Sequence, residues 1–427
     1  MDRPVNEDPD KEPEETVMSV QTNELPVEDP WKGVNPLDPA WRDNPYPAMK
    51  LLRENDPVNY VPGADLWRLF RYSDINRLYR EAPAGNVGVH GENPGREKDS
   101  RRGGFLDFML EKEGAEHARL RRLVVRAFNA KRIEAMRAEI QQTVDEFLAP
   151  HWANGHIDWI PDFAGLLPGT VTCRMMGVPL EDRDKFNHWT ALRTNAFFVD
   201  VLPEEVLIKA NEAAEEMADY FEALVEKRRA DPRDDLLTAL IRVEEEGDRL
   251  TRHELIVQVI GLMVAGYETT IGLLGNGLRL LIEHPEAVDA LRADPSKWPL
   301  AVQECLRFEG PILFNWRILW EDCDFGGTTI PAGAQVWAMM ASGNRDPEHF
   351  PEPDRFDISR TDTDHLSFGG GRHWCLGQHL ARLEAEIGFR TFFERARNVR
   401  LDHPGHTEWS SSFFRVPGSL PVSFDPA

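Results

Sequence analysis

Hydrophobic and polar positions follow two rhythms along this chain. Val58 and Tyr60, then Leu66, Arg68 and Phe70, flank the turn-forming Pro62-Gly63-Ala64-Asp65. Alternation on both sides of such a turn predicts a hairpin, hence a small sheet near the start. From Glu116 to about Val399 the helical period dominates. Interruptions fall at Gly310-Pro311, at Gly326-Gly327, at Ile330-Pro331-Ala332-Gly333 before the strand-like Gln335-Val336-Trp337, and at Phe350-Pro351-Glu352-Pro353. Residues 83 to 104 are rich in glycine and charge with little periodicity, and read as a long loop of the kind that often serves as a functional lid. The pattern predicts a mainly α protein with a small β region.

The most apolar stretch, Leu255 to Leu274, is about long enough to span a bilayer. Gln258, Glu268, Thr269 and Thr270 would then sit in hydrocarbon, so a helix buried in a protein core is expected instead. Thr251-Arg252-His253-Glu254 is a capping box, in which the threonine and the glutamate three residues on satisfy each other's backbone N–H groups. It opens a helical stretch to about Ile282.

Composition narrows the class. The chain has 427 residues, 41% hydrophobic and 29% charged, which is ordinary for a globular protein. Neither a repeat nor a linker long enough to separate domains is visible, so residues 31 to 427 are expected to form a single domain. Residues 1 to 30 are rich in Asp, Glu and Pro and lack the basic start and apolar run of an export signal, so a flexible acidic tail and a cytoplasmic protein are expected. A net charge of -24 argues against a nucleic-acid partner. Cys173, Cys305, Cys323 and Cys375 form no CxxC pair, which speaks against a disulfide framework and suits a reducing compartment.

The strongest chemical signal is Phe368-Gly369-Gly370-Gly371-Arg372-His373-Trp374-Cys375-Leu376-Gly377. Glycines let the backbone take positive φ and approach another atom closely. Leu376, Leu380, Leu383 and Ile387 then recur at helical spacing, putting Cys375 at a helix start. There, free N–H groups and the dipole would lower the thiol pKa and favour a metal-binding thiolate. The residues alone also suit a reactive or buried structural cysteine. A zinc site from His365, His373, Cys375 and His379 has spacings unlike the common cages.

These ten residues resemble the haem-binding loop of the cytochromes P450, F-G-x-G-x-H/R-x-C-x-G, with every fixed position filled. The resemblance implies the P450 fold, haem b, Cys375 as axial ligand, Phe368 beside the haem and His373 on a haem propionate. A thiolate pushes electron density onto iron and favours cleavage of the oxygen–oxygen bond. Ala265-Gly266-Tyr267-Glu268-Thr269-Thr270 resembles the family's oxygen-activation motif, where the helix locally opens. It implies that Ala265 borders the haem, that Glu268 delivers protons and that Thr269 hydrogen-bonds dioxygen.

Further matches follow in the family's order. Glu304-Cys305-Leu306-Arg307 falls at the E-x-x-R position, an i, i+3 pair worth only a few tenths of a kcal/mol if exposed, and Pro353-Asp354-Arg355-Phe356 resembles the segment supplying a second arginine to that structural network. Arg317 follows Pro311 at the spacing of a propionate-binding arginine. His117 and Arg121, at i and i+4, match the pair that grips propionates. Arg119, Arg122, Arg126 and Arg132 would lie near the outer haem face, where a basic patch suits a small acidic electron donor. The resemblance spans roughly residues 30 to 425 and departs at Asn315-Trp316 and at Arg372.

It implies a monooxygenase that uses O2 and electrons from a separate ferredoxin and ferredoxin reductase, since no Rossmann fingerprint is present. A haem-thiolate peroxygenase or isomerase, or a non-catalytic haem-binding or zinc-binding protein, are the competing readings; Glu268-Thr269 favours oxygen activation. By family position the pocket draws on the 83 to 110 loop, Phe197 and Phe198, Val264 and Ala265, Ile312 to Phe314, and Ser411 to Phe413. That largely apolar set implies a lipophilic small-molecule substrate.

Overall fold

The computed structural model describes residues 31–36, 38–92, 99–100, 102–195, 203–245, 249–410 and 414–426. The expected acidic tail, Phe197, Phe198 and Ser411 to Phe413 lie outside the described residues.

The hairpin forms as its alternation predicts, with Val58 opposite Leu69 and Val61 opposite Leu66. Its turn ends on Asp65 at φ +48°, a left-handed position that aspartate tolerates. The second strand, Leu66–Leu69, pairs in parallel with Gln335–Ala338, which pairs antiparallel with Asn315–Leu319. A two-residue strand, Ala84–Gly85, closes that edge and takes the start of the expected loop into the sheet. The far end of that loop is held by Asp99, whose carboxylate meets Arg193 at 3.0 Å with both side chains fully buried. The sheet sets Arg317 opposite Val336 and facing the interior.

Helices make up most of the rest and share one large apolar core. The capping box is realised, with Thr251 N–H donating to Glu254 at 2.7 Å and Glu254 N–H donating back to the threonine hydroxyl. The helix it opens, Arg252–Ala265, is buried on nearly all sides, as an all-round apolar helix must be. Arg252–Glu283 is long and apolar enough to cross a membrane by length and composition, yet 67% of its most apolar window is buried in the protein. It is also two helices. Tyr267, at ψ -76°, breaks the run, and a second helix occupies Glu268–Glu283.

Two expectations need correction. The first is the make-up of the network around Glu304 and Arg307, a pair that is buried and bidentate at 2.7 Å as a structural network requires, so that breaking it would cost ~3–5 kcal/mol. Arg307 also donates to the carbonyls of Asn344, Pro353 and Arg355. Arg355 contributes only that carbonyl, because its exposed side chain turns to Glu352; Arg360 Nε instead lies 3.4 Å from Glu304. Helix also stops sooner than the periodicity suggests. Gln378–Arg395 gives way to a strand, Ala396–Leu401, in a sheet with Pro421–Pro426 and His156–Asp158.

One side chain ties distant segments together. Arg415 pairs with Glu309 and donates to the carbonyls of Arg42 and of Asp43, the last at 3.1 Å.

Candidate active site

The cysteine loop reaches its place through its glycines. Gly369 (φ +68°, ψ -152°) and Gly371 (φ +63°) occupy backbone conformations that side chains disfavour, and a Cβ on Gly371 would fall 2.0 Å from the Tyr79 carbonyl oxygen. Cys375 N–H donates to Phe368 O at 3.0 Å, closing the loop. The next helix begins at Gln378, three residues beyond the cysteine. Desolvation pushes the Cys375 thiol up, against the opposing pull of the Gly377 N–H, Arg121, the Gln378 N–H and Arg382. The net shift is therefore opposite to the one a helix start alone would give. Those N–H groups and cations stand ready to stabilise a thiolate once a metal replaces the proton.

Cys375 opens on a cavity of about 350 Å³ that is also bordered by Phe368, His117, Arg121, Arg317, His373, Ala265, Glu268 and Thr269. The residues expected to hold the haem or to act on oxygen thus face one space. His117 and Arg121 come from the Gly114–Ala127 helix, and the His117 and His373 rings approach to 4.2 Å between centroids. Desolvation, then the neighbouring His373, pushes His117 down to about 4, so it is neutral at neutral pH and offers a neutral N–H. Arg121 donates to Trp374 O at 2.6 Å. Arg317 is buried over the Tyr79 ring, and its one hydrogen bond among the described residues goes to Trp316 O.

Glu113, which the sequence did not single out, meets the cysteine loop here. It accepts from His373 at 2.9 Å, from Arg372 at 3.2 Å and from Asn86 N–H at 2.7 Å. Burial works against its charge, yet these partners hold its carboxyl below the usual range. Cations still outnumber carboxylates at this rim. A rim of that kind beside a single thiol fits a planar metal group carrying carboxylates, and haem is such a group. Among the described residues no set of three or more His, Cys, Asp or Glu is placed to hold a bare metal ion, and His365 is hydrogen-bonded to Gln303.

The opened helix supplies the opposite wall. Thr269 Oγ1 donates to Ala265 O at 3.0 Å and Thr270 Oγ1 to Gly266 O at 2.9 Å, so hydroxyls satisfy carbonyls at the break. Burial pushes the Glu268 carboxyl up. Val264, Ile312 and Phe314 border the cavity as expected, whereas Leu313 belongs to a separate apolar cluster. Thr172, Met175 and Thr194 also line it, and nothing in the sequence pattern singles them out.

On the outer side Trp374 is 50% exposed and Val125 39%. Arg119 is taken up by Glu254 and Arg132 by Asp234, so the basic patch is smaller than expected.

A family model described as Cytochrome P450 matches residues 93–296 and 299–403. The chain is 38% identical over 398 residues to Cytochrome P450 107B1 of Saccharopolyspora erythraea, covering 90% of this chain and 96% of that one. It is 35% identical to the vitamin D(3) 25-hydroxylase of Pseudonocardia autotrophica, covering 90% and 94%. Among solved structures it is similar to P450BioI in complex with an acyl carrier protein carrying hexadec-9Z-enoic acid, with a TM-score of 0.83, 32% identity, and coverage of 90% and 100%.

Proposed function

The chain belongs to the cytochrome P450 family of monooxygenases, and we propose that it inserts one oxygen atom from O2 into a lipophilic small molecule, by hydroxylation or epoxidation. A separate ferredoxin and ferredoxin reductase would supply the electrons. The carrying observation is that Cys375 faces the same cavity as the Glu268-Thr269 pair. That pair favours oxygen activation over a peroxygenase or isomerase.

Haem b would be held by Cys375, with His117, Arg121, Arg317 and His373 on its carboxylates and Phe368 and Ala265 completing the walls. Bound there, it supplies thiolate-ligated iron for the reductive activation of dioxygen. The chain's own residues do the remaining work. Glu268, whose carboxyl burial pushes above the usual carboxylate range, is placed at the cavity wall to take up and pass on a proton. Thr269, whose hydroxyl hydrogen is directed to Ala265 O, presents its oxygen lone pairs as an acceptor beside it. Phe108, Met109, Ile312 and Phe414 exclude water and receive an apolar substrate. The similarity to a vitamin D(3) hydroxylase supports this class of substrate. Residues 31 to 427 act as one haem domain in the cytoplasm on this reading.

The test is the absorption spectrum of the ferrous carbon monoxide complex. The wild type should show the red-shifted band diagnostic of thiolate ligation and Cys375→Ala should lose it. A haem-loaded Cys375→Ala that keeps the band would overturn the assignment.

A further inference from the structure

An acid that gives up protons inside a protein must be recharged from solvent. Glu268 borders the cavity, and among the described residues no cation offsets the desolvation that pushes its carboxyl up.

Two helices pack next to it. On Leu167–Met176, Gly169 and Thr172 stand one turn apart on the same face. On Arg183–Asn195, Asn187, Thr190 and Thr194 recur at spacings of three and four, again on one face. The two faces meet, since a Cβ on Gly169 would lie 2.0 Å from Asn187 Oδ1. At the inner end Thr172 and Thr194 border the same cavity as Glu268. Thr172 Oγ1 lies 3.9 Å from where a Cβ on Gly266 would stand, two residues before the acid.

The polar atoms of this seam are underused. Asn187 Oδ1 is buried without a partner among the described residues, and Asn187 as a whole is half-buried, at the solvent end. A buried amide oxygen in that state takes its hydrogen bond from water. Thr190 and Thr194 are buried, and Thr194 Oγ1 rests on the Thr190 backbone carbonyl at 2.9 Å, a bond that its hydroxyl must exchange for an inward one when it passes a proton. Each hydroxyl can donate and accept at once, which is the property a proton wire needs.

The geometry points to a proton relay that runs from Asn187 past Thr190 and Thr194 to Thr172 and recharges Glu268. It rests on the proton-donor role proposed for Glu268 above. For each proton that Glu268 releases toward the oxygen being reduced, one enters at Asn187; the hydroxyls end as they began, and no electron moves along the seam. Gly169 belongs to the device, because any side chain there would displace the Asn187 amide.

Infrared spectroscopy on the haem-loaded protein tests it, with clotrimazole filling the cavity so that exchange through cavity water is suppressed. The carboxylic acid band lost in Glu268→Gln is followed after rapid mixing into D2O. Thr172→Val should slow its exchange about 10²-fold, the lower end of what a positioned proton-transfer group contributes, and Thr172→Ser should restore it. Asn187→Leu should slow it from the outer end, and serves if Thr172→Val does not load haem. Unchanged exchange in these variants, or the absence of any band lost in Glu268→Gln, would overturn the relay. If exchange behaves as stated while Glu268→Gln turns over at the wild-type rate, the catalytic role of Glu268 fails and the conduit stands.

Discussion

Glu113 and His373, 260 residues apart, share a 2.9 Å hydrogen bond that joins the approach to the Gly114–Ala127 helix to the cysteine loop. Glu113→Gln keeps the shape and removes the charge, so loss of a charge-assisted bond in a mostly buried setting should cost about 1.5–3 kcal/mol. The carboxyl is held below its unfolded range, so this stabilisation is complete above about pH 4.5 and fades as pH falls through the lower folded value. Thermal unfolding should therefore show the variant below wild type at pH 7 and converging with it in acid. Parallel curves at all pH values would refute the argument.

Glu384 behaves in the opposite sense. It is buried on the Gln378–Arg395 helix, Oε2 has no partner among the described residues, and desolvation pushes its carboxyl up to about 8. Between the ordinary glutamate value and about 8 the folded state holds more protons than the unfolded one, so stability falls as pH rises through that window. Glu384→Gln cannot ionise in either state. Its melting temperature should decline less between pH 5 and pH 8 than that of wild type, whatever its absolute stability. Equal slopes would mean that Glu384 titrates normally in the fold.

Thr269 and Glu268 should fail in different ways. Thr269→Ala is expected to consume electron donor at near the wild-type rate while releasing hydrogen peroxide in place of product. Glu268→Gln should slow the whole cycle by about 10²-fold and enlarge the solvent isotope effect. Peroxide yield and rate, measured on one substrate lacking a hydroxyl, separate the two. A fully coupled Thr269→Ala would remove its assigned role.

Electron delivery should depend on charge at the outer face. Reversal of Arg122 or Arg126 to Glu ought to slow reduction by a ferredoxin roughly ten-fold at low salt and flatten its salt dependence, because rim charges act on encounter rate. Substrate spectral titrations should stay as in wild type. Stopped-flow reduction rates unaltered across a salt series would exclude this surface.

What the sequence disclosed and what it hid divide along physical lines. Thr251 and Glu254 were legible because a capping box is complete within four residues, and the Val58–Leu69 hairpin because its turn is local. His117, Arg317 and His373 were found through motifs, and the fold brings all three to the border of one cavity. Arg360 was missed in favour of Arg355 because the choice depends on how the chain turns after Pro353, which periodicity does not encode. Glu113 could not be read, since an acid before a helix is ordinary until the fold sets it against His373. The strand Ala396–Leu401 was hidden because its partners lie far away in the chain, in His156–Asp158 and Pro421–Pro426.

Arg415 adds a timing constraint. It fastens the carbonyl of Asp43, made 372 residues earlier, and at ordinary rates of synthesis the ribosome needs roughly 20 to 70 seconds to cover that distance. For that interval the early helices are out in the open without the side chain that locks them. A nascent chain of this protein therefore carries the carbonyls of Arg42 and Asp43 through that interval without the guanidinium that later joins them.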